Sequence, residues 1–206
     1  MVKRLSLFLL FLLVVVGVTA FYRKGGAPAR LATYSVTRPT PTLTPTPELP
    51  KTVQAISPDM KQTLIMKEQK NGSSVTHTFS TSGEKEHAQQ QVFTKTVDLP
   101  KTITIPFNAW SPGGNKYLFL KETGNGFDSH IVLTSLGKPV ARDFQTVVVE
   151  ELFAQKYADY KITDVTGWAA PTLLVVNTDK LDGTVGPSFW FDVTALSFIK
   201  LSTRFN

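Results

Sequence analysis

ISPDMKQTLIMKEQKNGSSVTHTFSTSG, residues 56–83, lies over WSPGGNKYLFLKETGNGFDSHIVLTSLG, residues 110–137, without a gap. At this constant offset of 54, Ser57 coincides with Ser111, Pro58 with Pro112, Leu64 with Leu118, Lys67 with Lys121 and Glu68 with Glu122. Asn71-Gly72 falls on Asn125-Gly126, and Gly83 on Gly137. A duplication of this length is one supersecondary unit used at least twice, and such units bury their faces by stacking on their neighbours.

Outward from the repeat, the chain reads as short strands rich in β-branched and aromatic residues. Thr63–Met66, Val75–Phe79, Lys101–Ile105, Tyr117–Leu120, Ile131–Leu133, Leu173–Val176 and Ser188–Phe191 are the candidates. Asn71-Gly72, Asn125-Gly126 and Asp182-Gly183 sit between paired runs, where a hairpin needs residues that tolerate positive φ. Val147–Tyr160 is the exception, with apolar spacing suited to a short helix.

Ile56-Ser57-Pro58-Asp59 and Trp110-Ser111-Pro112-Gly113-Gly114 resemble the SPDG-type repeat of TolB-like β-propeller proteins. A degenerate third copy is read at Gly167-Trp168-Ala169-Ala170-Pro171, where the Ser-Pro-Asp-Gly core is lost. The resemblance implies that the motif is a tight turn before a blade's strands, shaping backbone rather than chemistry. The expected fold class is all-β: about three propeller-like antiparallel blade units, an incomplete propeller or compact β arc, preceded by one transmembrane helix and a Pro/Thr linker. Closed propellers use about four to eight blades, so the free blade edges must be covered by a compact arrangement, by further copies of the chain or by a partner.

Three domains are expected. Residues 1–24 contain Leu5–Tyr22, 18 residues without a charge between Lys3-Arg4 and Arg23-Lys24. As a helix this run spans about 27 Å, close to the bilayer's hydrocarbon core. It reads as a transmembrane anchor, with a signal peptide cleaved near Val18-Thr19-Ala20 as the alternative. Residues 25–52 form a disordered Pro/Thr-rich linker, and Pro39–Pro50 in polyproline form reaches roughly 37 Å. Residues 53–206 are the repeat domain. The expected location is the cell membrane, single-pass, with the domain extracytoplasmic, or secretion if the leader is cleaved.

Charge and composition exclude several function classes. The net charge of +6 is concentrated before residue 31 in Lys3, Arg4, Arg23, Lys24 and Arg30; the remainder carries 17 basic and 16 acidic residues. No basic cluster suited to a nucleic-acid backbone is left. With no cysteine, disulfides, thiolate metal sites and Cys nucleophiles are excluded. The sequence has no G-x-S-x-G, H-E-x-x-H or Walker motif, so no catalytic, cofactor-binding or metal residue is assigned and no enzyme activity is expected.

His77, His87 and His130 lack ligand spacing and read as solvated or strand-face residues. Asp59, opposite Gly113, reads as a turn residue, and Glu150-Glu151 as the wet face of the short helix. Trp110, Trp168 and Trp190 are the candidate ligand-binding residues, since flat aromatic faces suit sugar rings. Against that stands a core role for large aromatics before strands. The expected function is a membrane-anchored binding or scaffold module for a protein or cell-wall partner. Alternatives are an accessory subunit of an envelope complex, completed by a partner or by self-association, and a small secreted hydrolase.

Overall fold

The computed structural model describes residues 49–83, 89–142 and 144–205. Twelve strands form three four-stranded antiparallel sheets, each a meander in which sequence neighbours pair. The first sheet holds β1 (Lys51–Ile56), β2 (Gln62–Asn71), β3 (Ser74–Gly83) and β4 (Gln90–Asp98). The second holds β5 (Thr102–Thr104), β6 (Tyr117–Gly124), β7 (Phe127–Thr134) and β8 (Val147–Val148). The third holds β9 (Tyr160–Ala170), β10 (Leu173–Lys180), β11 (Val185–Asp192) and β12 (Ser197–Lys200). The helix α1 (Val149–Lys156) lies within the stretch whose apolar spacing marked it. The class is all-β, as expected.

The second sheet is buried on both faces. Leu118, Leu120, Ile131 and Leu133 join Leu64, Met66 and Phe79 of the first sheet in one core layer. Tyr117, Phe119 and Val132 join Leu174, Val176, Phe189 and Phe191 of the third in another. Double burial explains why Tyr117–Leu120 and Ile131–Leu133 are unbroken apolar runs rather than alternating ones.

The ungapped offset of 54 does not hold inside the strands. Ser57 Oγ accepts a hydrogen bond from Gln62 N at 2.9 Å, and Ser111 Oγ accepts one from Tyr117 N at 2.9 Å. The two turns are therefore the same motif, but the second spans one residue more. The structural counterpart of Leu64 is consequently Phe119, not Leu118. At the hairpin tips the shift runs the other way. Asn71 pairs with Ser74 and Gly124 with Phe127, so Gly72 occupies the place of Asn125. Asn125 (φ 56°) and Gly126 (φ 78°) are both left-handed, as a type I′ hairpin turn requires, whereas in the first hairpin only Gly72 (φ 60°) is.

Among the described residues, each end of the stack carries a feature that limits it. The outward face of the first sheet presents Thr63, Lys67, Thr76, Thr78, Thr94 and Thr96 around Ile65, and the hydroxyls of Thr76 and Thr96 lie 2.9 Å apart. Such a polar outer face ends a stack without a further layer. Beyond the third sheet, residues 201–205 form a strap. Leu201 N donates to Ser188 O, Ser188 N to Thr203 O, and Phe205 N to Ser188 Oγ. Arg204 reaches Asp179 at 2.6 Å. The expected anchor and most of the expected linker lie outside the described residues, and among the described residues no helix is long and apolar enough to cross a membrane.

Candidate functional site

The first strand of each sheet, β1, β5 or β9, lies at a sheet edge and has one side with no strand partner among the described elements. Where these strands end, Ile56 and Pro58 of the first sheet, Phe107, Trp110 and Pro112 of the second, and Trp168 of the third line an open groove of about 510 Å³. Phe107 is fully exposed and Ile56 is 66% exposed, so the rim offers apolar surface that nothing in the described chain covers.

The tryptophans are fixed from behind. The Trp110 Nε1 donates to Ala55 O at 3.1 Å, and the Trp168 Nε1 donates to Ala109 O at 3.1 Å. Ala55 and Ala109 are 54 residues apart, so each indole reaches back to the same position of the preceding unit. Trp110 is buried with the layer between the first two sheets; Trp168 stacks on Tyr117 and meets Phe119 edge-on. Both indole donors are spent on the backbone, which leaves ring edges and faces for the groove. Asn108 Nδ2 donates to Thr166 O and ties the segment after β5 to β9. Gly167, at φ 137°, passes so close to Asn108 that a Cβ there would overlap its amide.

Trp190 stands apart from this pair. It pairs across strands with Val175 on β10 and Ile199 on β12, and Val175 pairs with Gly167. Because Gly167 and Val175 also line the groove, this row extends the apolar strip over the third sheet. The Trp190 Nε1 is buried with no partner among the described residues.

Three readings of polar residues change. His77 and His130 sit on strand faces but are not solvated: they are 0% and 2% exposed. The His77 Nε2 accepts from Ile103 N at 3.3 Å, and burial holds its pKa below the usual 6.5, against the pull of Glu68 and Glu122. Glu150 is not simply a wet face. Its Oε1 lies 2.7 Å from His130 Nδ1, and its Oε2 accepts His130 N at 2.7 Å, whereas Glu151 is exposed. Asp59 does serve its turn, accepting from Ser57 Oγ at 2.7 Å and Lys61 N at 3.1 Å. The same oxygen also accepts from Asn115 Nδ2 at 2.6 Å, linking the two turns, and these bonds, Ser57's first, hold its carboxyl below the usual range. His87 lies outside the described residues.

Phe107 and Ile56 were not among the sequence candidates. The available signal was a bulky aromatic in Pro106-Phe107-Asn108, between strand segments, where no core position needs it. Among the described residues no three His, Asp or Glu side chains converge on a point that could hold a metal ion. No protein-family model, curated protein or solved structure matches the chain.

Proposed function

We propose that the chain is a binding module, propeller-like in its units, that takes a protein or cell-envelope partner in the groove at the ends of β1, β5 and β9. In this reading Leu5–Tyr22 anchors it in the membrane, the Pro/Thr spacer holds it off the bilayer, and the domain faces away from the cytoplasm. The observation that carries the reading is the exposed pair Phe107 and Ile56 beside Trp110 and Trp168. A contiguous exposed apolar rim is the surface signature of recognition. The Ser-Pro turns, each capped by a serine hydroxyl, support the TolB-like resemblance. The features that limit the two ends of the stack favour an autonomous binder over a subunit that must be completed by a partner sheet.

The test is site-specific photo-crosslinking in intact cells producing the full chain. A benzophenone side chain at position 107 is expected to capture one discrete partner, and the same probe at position 76, on the hydroxyl-rich face, is expected to capture none. No adduct at 107, or equal labelling from both positions, would reject the groove as the recognition surface. Extraction at alkaline pH checks the anchor independently: the full chain should stay with the membrane.

A further inference from the structure

At the hairpin-tip end of β6 and β7, away from the Ser-Pro turn, a second cleft of about 630 Å³ opens between the second and third sheets. Its floor holds His130, whose neighbours define its state. The carboxylate of Glu150 only accepts, so the Nδ1 atom facing Oε1 carries a proton; in the neutral ring, Nε2 is then the acceptor. Glu150 fixes the ring twice over, through Nδ1 and through the backbone N–H of the same residue. Phe119 lies against it, with ring centroids 6.2 Å apart. His130 is 2% exposed yet lines the cleft, and its Nε2 bonds no described residue.

The charges around this acceptor are unequally satisfied. Each carboxylate of the cleft already has a donor: Asp128 has Lys121 at 2.7 Å, Asp179 has Arg204 at 2.6 Å, and Glu150 has His130. Lys161, opposite Asp179 across the β9–β10 ladder, and Lys180, whose charge reaches Asp182, line the same cleft, and neither closes an ion pair within 4 Å among the described residues. Lys161 instead rests over the Phe127 ring, 5.2 Å from its centroid. A polar ligand that complements these groups must carry negative charge for the ammonium groups and a hydroxyl to donate to Nε2. A simple cation meets two ammonium groups and carboxylates already occupied. A purely apolar ligand leaves the two ammonium groups and the imidazole nitrogen without a complementary partner.

We propose that this cleft binds a small hydroxyl-bearing anion, with His130 Nε2 accepting from the ligand hydroxyl and Lys161 and Lys180 holding its charge. The anionic group can be a carboxylate, as in a sugar acid, or a phosphate, as in a polyol phosphate; two probes separate these sources. The site is independent of the groove at the ends of β1, β5 and β9, so either can fail alone.

The experiment uses the full chain, with its histidines labelled with nitrogen-15 and the His130 imidazole assigned by loss of its signals in His130→Gln. D-glucuronate, sn-glycerol 3-phosphate, glycerol and inorganic sulfate are titrated separately into the millimolar range. A saturable shift of the His130 Nε2 resonance is expected with glucuronate, glycerol 3-phosphate or both, and not with glycerol or sulfate. Lys161→Gln and Lys180→Gln, which leave the core untouched, should each weaken that response about tenfold, the loss of one charge-assisted hydrogen bond. The His77 resonance serves as the fold control and should not move. The proposal fails if neither anion gives a saturable His130 shift, if sulfate or glycerol gives the same shift, or if the shift persists unchanged in both lysine variants.

Discussion

Leu64 and Leu118, which coincide in the repeated sequence, point into the same core layer from opposite sheets. True equivalents in stacked units would point in the same direction along the stack. The difference is one residue in the turn, and a one-residue slip moves every side chain of a strand to its other face. Deleting Gly114 therefore should force β6 to choose between its turn and its two core layers. The expected outcome is loss of a cooperative thermal transition by circular dichroism. A variant that melts like the parent would show that the turn does not set the register.

The three tryptophans should respond differently to loss of the indole N–H. Trp110→Phe and Trp168→Phe each remove a bond to a backbone carbonyl and are expected to cost about 1 kcal/mol in urea denaturation. Trp190→Phe removes a buried donor with no described partner and should be neutral or slightly stabilising. A loss at Trp190 as large as at Trp110 would contradict this ordering.

His77 makes folding sensitive to mild acid. Burial lowers its pKa in the folded chain, so the unfolded chain takes up the proton first. Its contribution is fully present above the usual value of 6.5 and is lost as pH falls from there toward the lowered folded value. The urea midpoint should drop between about pH 7.5 and pH 5.5. In His77→Gln, whose amide oxygen can still accept from Ile103 N, that drop should shrink. An equal drop in both proteins would assign the acid sensitivity elsewhere.

The C-terminal strap keeps Asn177 and Ser188 at 5% and 0% exposure. Asn177 Nδ2 donates to Phe205 O, and Phe205 N donates to Ser188 Oγ. Ending the chain at Lys200 strips these partners and should cost about 1–3 kcal/mol, with faster amide exchange confined to β10 and β11. Arg204→Ala, losing its reach to Asp179, should show a smaller effect in the same strands. Unchanged exchange there would mean that the strap does not hold the outer face.

Much of the architecture is legible in local residue chemistry. β-branched runs, Asn-Gly and Asp-Gly turns and the repeated Ser-Pro turn mark seven of the strands, the hairpins and the existence of a duplicated unit, because each depends on neighbours within a few residues. Strands β1, β4, β8, β9 and β12 are harder to see: most carry polar residues on solvated faces, and a polar alternating run looks like a loop; Gly167–Ala170, read as the start of a third turn, is the end of β9. Burial of His77 and His130 was hidden for a related reason. A strand positions them, but a second sheet buries them, and a partner such as Glu150 arrives from 20 residues away. The sequence alone determined that this chain is built from repeated antiparallel units, since turn geometry and strand preference are properties of short segments. Only the tertiary structure decided which face each strand turns inward, that the stack carries hydroxyls at one end and a strap at the other, and that Phe107 meets Trp110 and Trp168 at one groove. Those outcomes depend on packing between segments about 54 residues apart, where one added turn residue reverses a face.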